Sequence, residues 1–287
     1  MKIWFWLKNS RLFSLPMTLL SWLVIFIYSL PGDLLNGCLA LFGIAFAHLA
    51  TNLFDDYLDY KSLDKNCQQC KCLYIKEGKA TINDVLHVVV IYLLISLIIG
   101  IFLFIRCGLP VLFFALIGGF ITLSYQKLSK LGLSEIAVGT AFGPLLFEGV
   151  YFVMTGKYSI NVFILSLAVV LFTIGLMYVH TVLDYEGDLA SGKRTLVCRL
   201  KDKKTAINGI YFVYGLGFLF TTILAILIKN YYLFCTFIII PFIIDLHKHL
   251  QNFQCGDEIK QFYFRLLKAR NIMVYYCSIV VFALLIK

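Results

Sequence analysis

Nine apolar segments divide the sequence, and each is long enough to cross a lipid bilayer. They lie near residues 12–30, 37–55, 84–105, 108–125, 134–155, 160–181, 206–228, 230–246 and 269–286. A helix that crosses the hydrocarbon core needs roughly 20 apolar residues and pairs its backbone polar groups internally. The pattern therefore predicts an all-α polytopic membrane protein with about nine transmembrane helices. Composition agrees, because 61% of the residues are hydrophobic and only 14% are charged.

Positive charge is distributed unevenly over the loops between these segments. If the N-terminus is cytoplasmic, all but four of the 25 Lys and Arg residues fall in cytoplasmic regions. Cytoplasmic loops of membrane proteins carry such an excess, so we expect the N-terminus inside and the C-terminus outside. The net charge of +9 fits contact with anionic lipid, and nothing indicates nucleic acid as a partner.

The second apolar segment ends in a row of polar side chains, in the stretch HLATNLFDDYLD. Residues spaced by three or four share one face of a helix. His48, Asn52, Asp56 and Asp59 therefore form one stripe, with Asp55 beside it.

The sixth segment ends in a similar stripe, in the stretch YVHTVLDYEGD. His180, Asp184 and Asp188 follow one another at a spacing of four. The two stripes predict two related halves, roughly 1–130 and 131–250, plus a final helix, within one transmembrane domain of residues 1–287.

Carboxylates this close together repel one another, and a bound cation removes the repulsion. Mg²⁺ commonly joins a few carboxylates to substrate phosphates. Two aspartate stripes on one membrane face thus predict a Mg²⁺–diphosphate site, although each stripe alone also fits a solvated interface. His48 and His180 are expected to pack through hydrogen bonds.

Basic residues surround the acidic face and can bind phosphate oxygens. The candidates for this role are Arg11, Lys127, Lys130 and Lys193, and Tyr125 precedes the first two lysines in YQKLSK. Each is also explained as a positive-inside residue.

Three cysteines form the cluster CQQCKC, namely Cys67, Cys70 and Cys72. They suit either free cytoplasmic thiols or a metal site completed by Cys198 or Cys255.

The aspartate motifs resemble those of the UbiA superfamily of intramembrane prenyltransferases. NLFDDYLD carries Asn52, Asp56 and Asp59, and DYEGD carries Asp184 and Asp188. Within the superfamily, GLSEIAVGTAFGPLLFEGVYFVMTG and DYEGDLASGKRTL look most like the 1,4-dihydroxy-2-naphthoate polyprenyltransferase branch of menaquinone biosynthesis. Asp55 and Ser134 depart from that branch, where Asn and Gly are usual.

The resemblance implies transfer of a polyprenyl group from an allylic diphosphate to an aromatic acceptor, with Mg²⁺ as cofactor. It assigns one Mg²⁺ to Asp56 and Asp59 and the other to Asp184 and Asp188, which makes these four the catalytic residues. Asn52, Arg11, Tyr125 and the three lysines become substrate-binding residues. The expected location is a bacterial cytoplasmic membrane, with the active site on the cytoplasmic face. Alternatives are a family member using 4-hydroxybenzoate, homogentisate or a lipid precursor, and a cation-coupled transporter.

Overall fold

The computed structural model describes residues 3–62, 73–190, 195–200, 202–253 and 259–286. Helix accounts for 88% of the residues in these ranges, and they contain no strand. The all-α prediction is therefore confirmed. The α-helices of the described ranges are α1 (Ile3–Asn9), α2 (Leu15–Tyr28), α3 (Leu34–Ser62), α4 (Leu73–Lys76), α5 (Ile82–Cys107), α6 (Leu109–Lys130), α7 (Ser134–Thr140), α8 (Leu146–Thr155), α9 (Ile160–Leu183), α10 (Tyr185–Ala190), α11 (Lys203–Leu227), α12 (Ile240–Gln251) and α13 (Ile259–Ile286).

Seven helical stretches of the described chain are long and apolar enough to cross a membrane. They are Leu34–Lys61, Ile82–Cys107, Ser134–Thr155, Ile160–Leu183, Lys203–Leu227, Tyr231–Gln251 and Lys260–Ile286. The shorter apolar helices Leu15–Tyr28 and Leu109–Tyr125 account for the other two predicted segments. Each of the nine predicted segments thus corresponds to one apolar helical stretch.

Helix α3 extends beyond the end of the predicted apolar segment. The apolar pattern ends near residue 55, yet the helix continues to Ser62. The extra two turns carry the first aspartate stripe in helical geometry, so the spacing of Asp56 and Asp59 places them on neighbouring turns of one helix.

The chain forms two compact units, and the first comprises Met1–Leu19 and Asp33–Gln126. Its centre is the pair α3 and α5, which pack along their length. A core cluster on the α3 side includes Trp6, Leu53, Tyr74 and Val85. Helix α5 begins with a capping box, in which Thr81 and Asp84 satisfy each other's backbone N–H groups, and this fixes where the helix starts.

The second unit comprises Leu20–Gly32 and Lys127–Lys287. Helix α9 is its centre, and α11, α13, α7 and α8 pack around it. Close approach requires small residues, because a Cβ on Gly175 would meet the Tyr214 ring at 2.6 Å. Between α7 and α8 the helix widens into a π-helical segment, Ala141–Leu145, which contains Pro144 and a non-helical Gly143.

The two stripe-bearing helices have comparable surroundings within their own units. Helix α3 packs chiefly against the following long helix α5, and α9 packs chiefly against the following long helix α11. The first stripe lies at the C-terminal end of α3, whereas the second begins at the C-terminal end of α9 and continues into α10. The division into two related halves nevertheless stays a prediction.

Candidate functional site

The first stripe is a polar cluster at the C-terminal end of α3. Asp56 is buried, with 6% of its surface exposed, whereas Asp55 and Asp59 are half-buried. Asp59 interacts electrostatically with Asp56. The cluster therefore concentrates negative charge in a largely desolvated position, where it requires compensation.

Arg11 supplies positive charge to this cluster from the turn between α1 and α2. Its Nη2 atom donates to Asp56 Oδ1 at 2.5 Å and to Asp55 Oδ2 at 3.4 Å. Burial by itself lowers the pKa of the guanidinium, but the two carboxylates raise it by more, so the net shift is upward. Arg11 thus remains charged and partly neutralises the stripe. The sequence reasoning placed Arg11 near the diphosphate and did not foresee this pairing.

Asn52 and His48 join the stripe to the start of α2. Asn52 Nδ2 donates to the Ser10 carbonyl at 3.0 Å and to Ser14 Oγ at 3.1 Å. His48 contacts Ser14 Oγ through Nε2 at 3.1 Å and Thr18 Oγ1 through Nδ1 at 2.7 Å. The amide donor of Asn52 is occupied, which leaves its carbonyl oxygen as the atom suited to a cation. His48 has the hydrogen-bonded packing role expected from the sequence.

Two tyrosines complete the first cluster. Tyr125 interacts electrostatically with Arg11, so this predicted substrate-binding residue lies beside the stripe. The Tyr74 hydroxyl donates to Asp56 Oδ2 at 3.3 Å, and its ring meets Trp6 edge-on with centroids 6.3 Å apart. Sequence reasoning missed Tyr74, because no periodic pattern connects the short helix α4 to α3.

The second stripe crosses a break between two helices. Helix α9 ends at Leu183, and Asp184 has φ −89° and ψ 8° as its C-terminal cap. Asp188 lies on α10 and its N–H donates to the Asp184 carbonyl at 2.8 Å, which keeps the spacing of four despite the break. His180 Nδ1 lies 3.4 Å from Asp184 Oδ2, while Asp188 is 6% exposed.

The predicted basic ligands are only partly described. Lys127 lies exposed on α6. Lys130 is part of the same helix, but its side chain is outside the described set. Lys193 lies outside the described residues, as do Cys67, Cys70, Cys72 and Cys255. Cys198 is described, and its Sγ accepts from the Thr195 hydroxyl at 3.1 Å.

The donor atoms of the stripes suit a hard cation. In the described ranges, no three His, Cys, Asp or Glu side chains are grouped closely enough to hold a metal ion. Each stripe nevertheless offers carboxylate oxygens, and Asn52 adds a carbonyl oxygen. Mg²⁺ is usually held by one or two carboxylates together with substrate phosphates and water. The residues present therefore fit Mg²⁺ with a phosphorylated ligand and do not form an all-protein cage.

One buried acid of the second unit was not foreseen. Glu135 lies in the first turn of α7 and is 4% exposed. Ser134 Oγ donates to its Oε2 at 2.8 Å, whereas Oε1 is buried without a hydrogen-bond partner. Its signal in the sequence was an acid inside an apolar segment, which by default suggests a functional group.

Comparison with known proteins identifies the family of the chain. The profile of the UbiA prenyltransferase family matches residues 14–268, which is most of the sequence and contains both aspartate stripes. The chain belongs to the UbiA prenyltransferase family. This membership makes it an integral membrane prenyltransferase, and it decides between the enzyme and the transporter weighed from the sequence. No curated protein sequence matches the chain.

Solved UbiA structures share the fold of this chain. A UbiA homologue from Archaeoglobus fulgidus bound to DMAPP and Mg²⁺ is 14% identical, with a TM-score of 0.68 over 98% of this chain and 99% of that one. A structure of digeranylgeranylglyceryl phosphate synthase is 18% identical, with a TM-score of 0.67 over 98% of both chains. The apo UbiA homologue from Aeropyrum pernix K1 is 14% identical, with a TM-score of 0.68 over 94% and 97%. At these identities the likeness establishes the fold.

Proposed function

We propose that this UbiA family member transfers a polyprenyl group from an allylic diphosphate to 1,4-dihydroxy-2-naphthoate, with Mg²⁺ as cofactor. The observation that carries the proposal is the pair of aspartate clusters at the ends of α3 and α9. Each cluster contains two motif carboxylates, which are too few to fill the coordination sphere of Mg²⁺. A ligand from outside the protein must therefore complete the metal site. A UbiA homologue of the same fold has been solved with DMAPP and Mg²⁺, which supports a diphosphate as that ligand.

Asp56 and Asp59 would hold one Mg²⁺ and Asp184 and Asp188 the other, with the carbonyl oxygen of Asn52 in support of the first. When bound, the metal neutralises the charge that develops on the departing diphosphate. Arg11 is already within 2.5 Å of Asp56, so its guanidinium is close to the first metal position. We assign Arg11, Tyr125, Lys127, Lys130 and Lys193 to the diphosphate oxygens.

The reaction replaces the carboxylate of the acceptor by the prenyl chain. The ring carbon that bears the carboxylate forms a bond to C1 of the prenyl group, while the C1–O bond breaks and its electron pair leaves with the diphosphate. The carboxylate then departs as CO₂, and its bonding electrons restore the aromatic ring. Water would capture the allylic cation, so the chain must keep the reacting carbon dry, which an intramembrane helix bundle favours.

The proposal also specifies the acceptor as dihydroxynaphthoate. Its support is the resemblance of the α7–α8 segment GLSEIAVGTAFGPLLFEGVYFVMTG and of DYEGDLASGKRTL to that branch of the family. A lipid precursor is the principal competitor, since digeranylgeranylglyceryl phosphate synthase shares the fold.

Product analysis tests the chemistry and the acceptor together. Purified protein in lipid nanodiscs would receive radiolabelled prenyl diphosphate with dihydroxynaphthoate, 4-hydroxybenzoate, homogentisate or a glycerol phosphate lipid. We expect prenylated product and CO₂ release with dihydroxynaphthoate, loss of both with EDTA, and recovery with Mg²⁺. Product with another acceptor alone would refute the acceptor assignment. Full activity after chelation would refute the metal chemistry.

Aspartate variants separate catalysis from folding. Asp184→Asn removes one anionic ligand at unchanged size, and we expect turnover to fall at least ~100-fold, or about 2.7 kcal/mol of transition-state stabilisation. Glu77→Gln is the matched control, because Glu77 forms an exposed ion pair with Lys79. Near-wild-type turnover of Asp184→Asn at low Mg²⁺ would count against the assigned metal site.

We also propose the orientation expected from the charge distribution, with the N-terminus and both stripes on the cytoplasmic side of a bacterial membrane. Single cysteines introduced as Lys79→Cys and Lys157→Cys in a cysteine-free background test it, since both lysines are exposed. In intact cells an impermeant thiol reagent should label only position 157. Labelling of position 79 alone would show that the orientation is the opposite of the one proposed.

A further inference from the structure

Asp184 lies between two residues that are held by other helices of the second unit. His180 contacts Asp184 and packs edge-on against Phe262 of α13, with ring centroids 5.7 Å apart at 85°. Glu186, two residues after Asp184, accepts from Lys203 Nζ of α11 at 2.7 Å. Both flanks of this aspartate are therefore fixed from outside its own helix.

Phe253, which follows α12, connects the two flanking contacts. Lys203 Nζ lies 5.3 Å from its ring centroid, and the Arg265 guanidinium carbon lies 4.8 Å from it. Phe253 also approaches Phe262, with centroids 6.5 Å apart. The four residues Lys203, Phe253, Phe262 and Arg265 form one contiguous group, which we call the cation–aromatic clasp.

Arg265 anchors the clasp in the protein. It is 4% exposed, and its Nε donates to the His249 carbonyl at 2.8 Å while Nη1 donates to the Gln261 carbonyl at 2.8 Å. The guanidinium thereby joins the end of α12 to the beginning of α13. Phe253 is held against a fixed cation on one side and presents its ring to the Lys203–Glu186 pair.

The segment that the clasp holds has little stability of its own. Helix α10 has six residues, and isolated helices shorter than about 12 residues are marginal in water. The position of Asp188 relative to Asp184 therefore depends on tertiary contacts. Glu186 lies in the first turn of α10, so the Lys203 contact acts on the turn that separates the two aspartates.

We propose that the cation–aromatic clasp is a positioning device that holds the Asp184–Asp188 turn ready for a divalent cation and a diphosphate. The inference rests on the proposed function, and it assigns a role to α11, the end of α12 and α13. Without the clasp, the turn becomes ordered only when the metal binds. The free energy needed to order it is then subtracted from the binding free energy, so the apparent metal affinity falls. Loss of one cation–π contact or one half-exposed ion pair corresponds to about a three- to tenfold loss of apparent metal affinity.

Lys203→Met tests the clasp by removing the cation while keeping most of the apolar stem, and Lys204→Met is the matched control at an exposed neighbour. The readout is thermal stabilisation of the full chain by Mg²⁺ at a fixed concentration of a non-hydrolysable prenyl thiolodiphosphate. We expect Lys203→Met to need about three- to tenfold more Mg²⁺ for half-maximal stabilisation, with kcat at saturating Mg²⁺ retained. Lys204→Met should match the wild type.

Removal of the carboxylate partner and replacement of the ring complete the test. Glu186→Gln should raise the Mg²⁺ requirement as Lys203→Met does, because it removes the ion pair with Lys203. Phe253→Leu should raise the Mg²⁺ requirement as Lys203→Met does. If both Lys203→Met and Phe253→Leu lower the melting temperature but leave the Mg²⁺ requirement unchanged, the clasp is purely structural and the inference is overturned. If the wild type itself is not stabilised by Mg²⁺ with the thiolodiphosphate, the proposed function is what fails.

Discussion

The substitution Asp56→Asn tests how much the ion pair between Arg11 and the first aspartate stripe stabilises the protein. The sequence presents a row of repelling carboxylates, so removal of one charge is expected to stabilise the metal-free protein. The structure reverses that expectation, because Asp56 is 6% exposed and accepts from Arg11 at 2.5 Å and from Tyr74 at 3.3 Å. Asparagine keeps the size of the side chain but leaves the guanidinium without its nearest counter-charge.

The expected loss of stability depends on how much of the positive charge of Arg11 is still neutralised in Asp56→Asn. Removing one partner of a fully buried ion pair costs roughly 3–5 kcal/mol. Arg11 retains Asp55 at 3.4 Å, and its side chain is 33% exposed, so solvent screens part of the charge. We therefore expect Asp56→Asn to lower the free energy of unfolding by about 1–2 kcal/mol. At roughly 2–4 °C per kcal/mol for a chain of this size, the melting temperature falls by about 2–8 °C.

Thermal unfolding in detergent without Mg²⁺ measures this loss. Arg11→Met and the double variant complete a cycle, in which the double variant should be less destabilised than the sum of the single changes. Glu77→Gln is the control, because its exposed ion pair contributes under about 1 kcal/mol. A melting temperature of Asp56→Asn equal to or above that of the wild type would refute the pairing argument.

Three further predictions concern folding and pH, all measured by thermal unfolding. His48→Phe should lower the free energy of unfolding by about 1–3 kcal/mol, since the buried hydroxyl of Thr18 loses its hydrogen bond to the imidazole. An unchanged melting temperature would show that the hydrogen bonds of His48 do not stabilise the protein. Gly209→Ala should lower the free energy of unfolding by about 1–3 kcal/mol, because its Cβ would clash with the Tyr178 hydroxyl. A Cβ at Gly215 on the same helix meets nothing within 4 Å, so Gly215→Ala should be neutral or stabilising. The Asn36 N–H, and then Arg106, hold the pKa of Asp33 below its ordinary value. Its stabilisation is therefore present above the pKa of the unfolded chain and is lost as pH falls through the lowered pKa. Asp33→Asn should therefore differ most from wild type near neutral pH and converge with it in acid.

The sequence determined the architecture because its dominant signal is local. Whether a segment can span a bilayer depends on its own length and composition, so each of the nine predicted segments corresponds to one apolar helical stretch of the described chain. The aspartate spacing likewise needs only the periodicity of one helix, and NLFDDYLD and DYEGD were enough for a resemblance to the family that the profile match confirms. The acceptor rests only on the resemblance of two stretches to one branch of the family, and it stays a proposal.

Only the tertiary structure decided which side chains share the charge of each stripe. The pairing of Arg11 with Asp56 spans 45 residues, and Tyr74 reaches the same carboxylate from a helix with no periodic relation to α3. The clasp around Asp184 gathers residues from α11, the end of α12 and α13. Such contacts arise because the chain turns back on itself and burial forces separated polar groups to pair. A one-dimensional pattern supplies the carboxylates, whereas the fold selects the groups that neutralise and hold them.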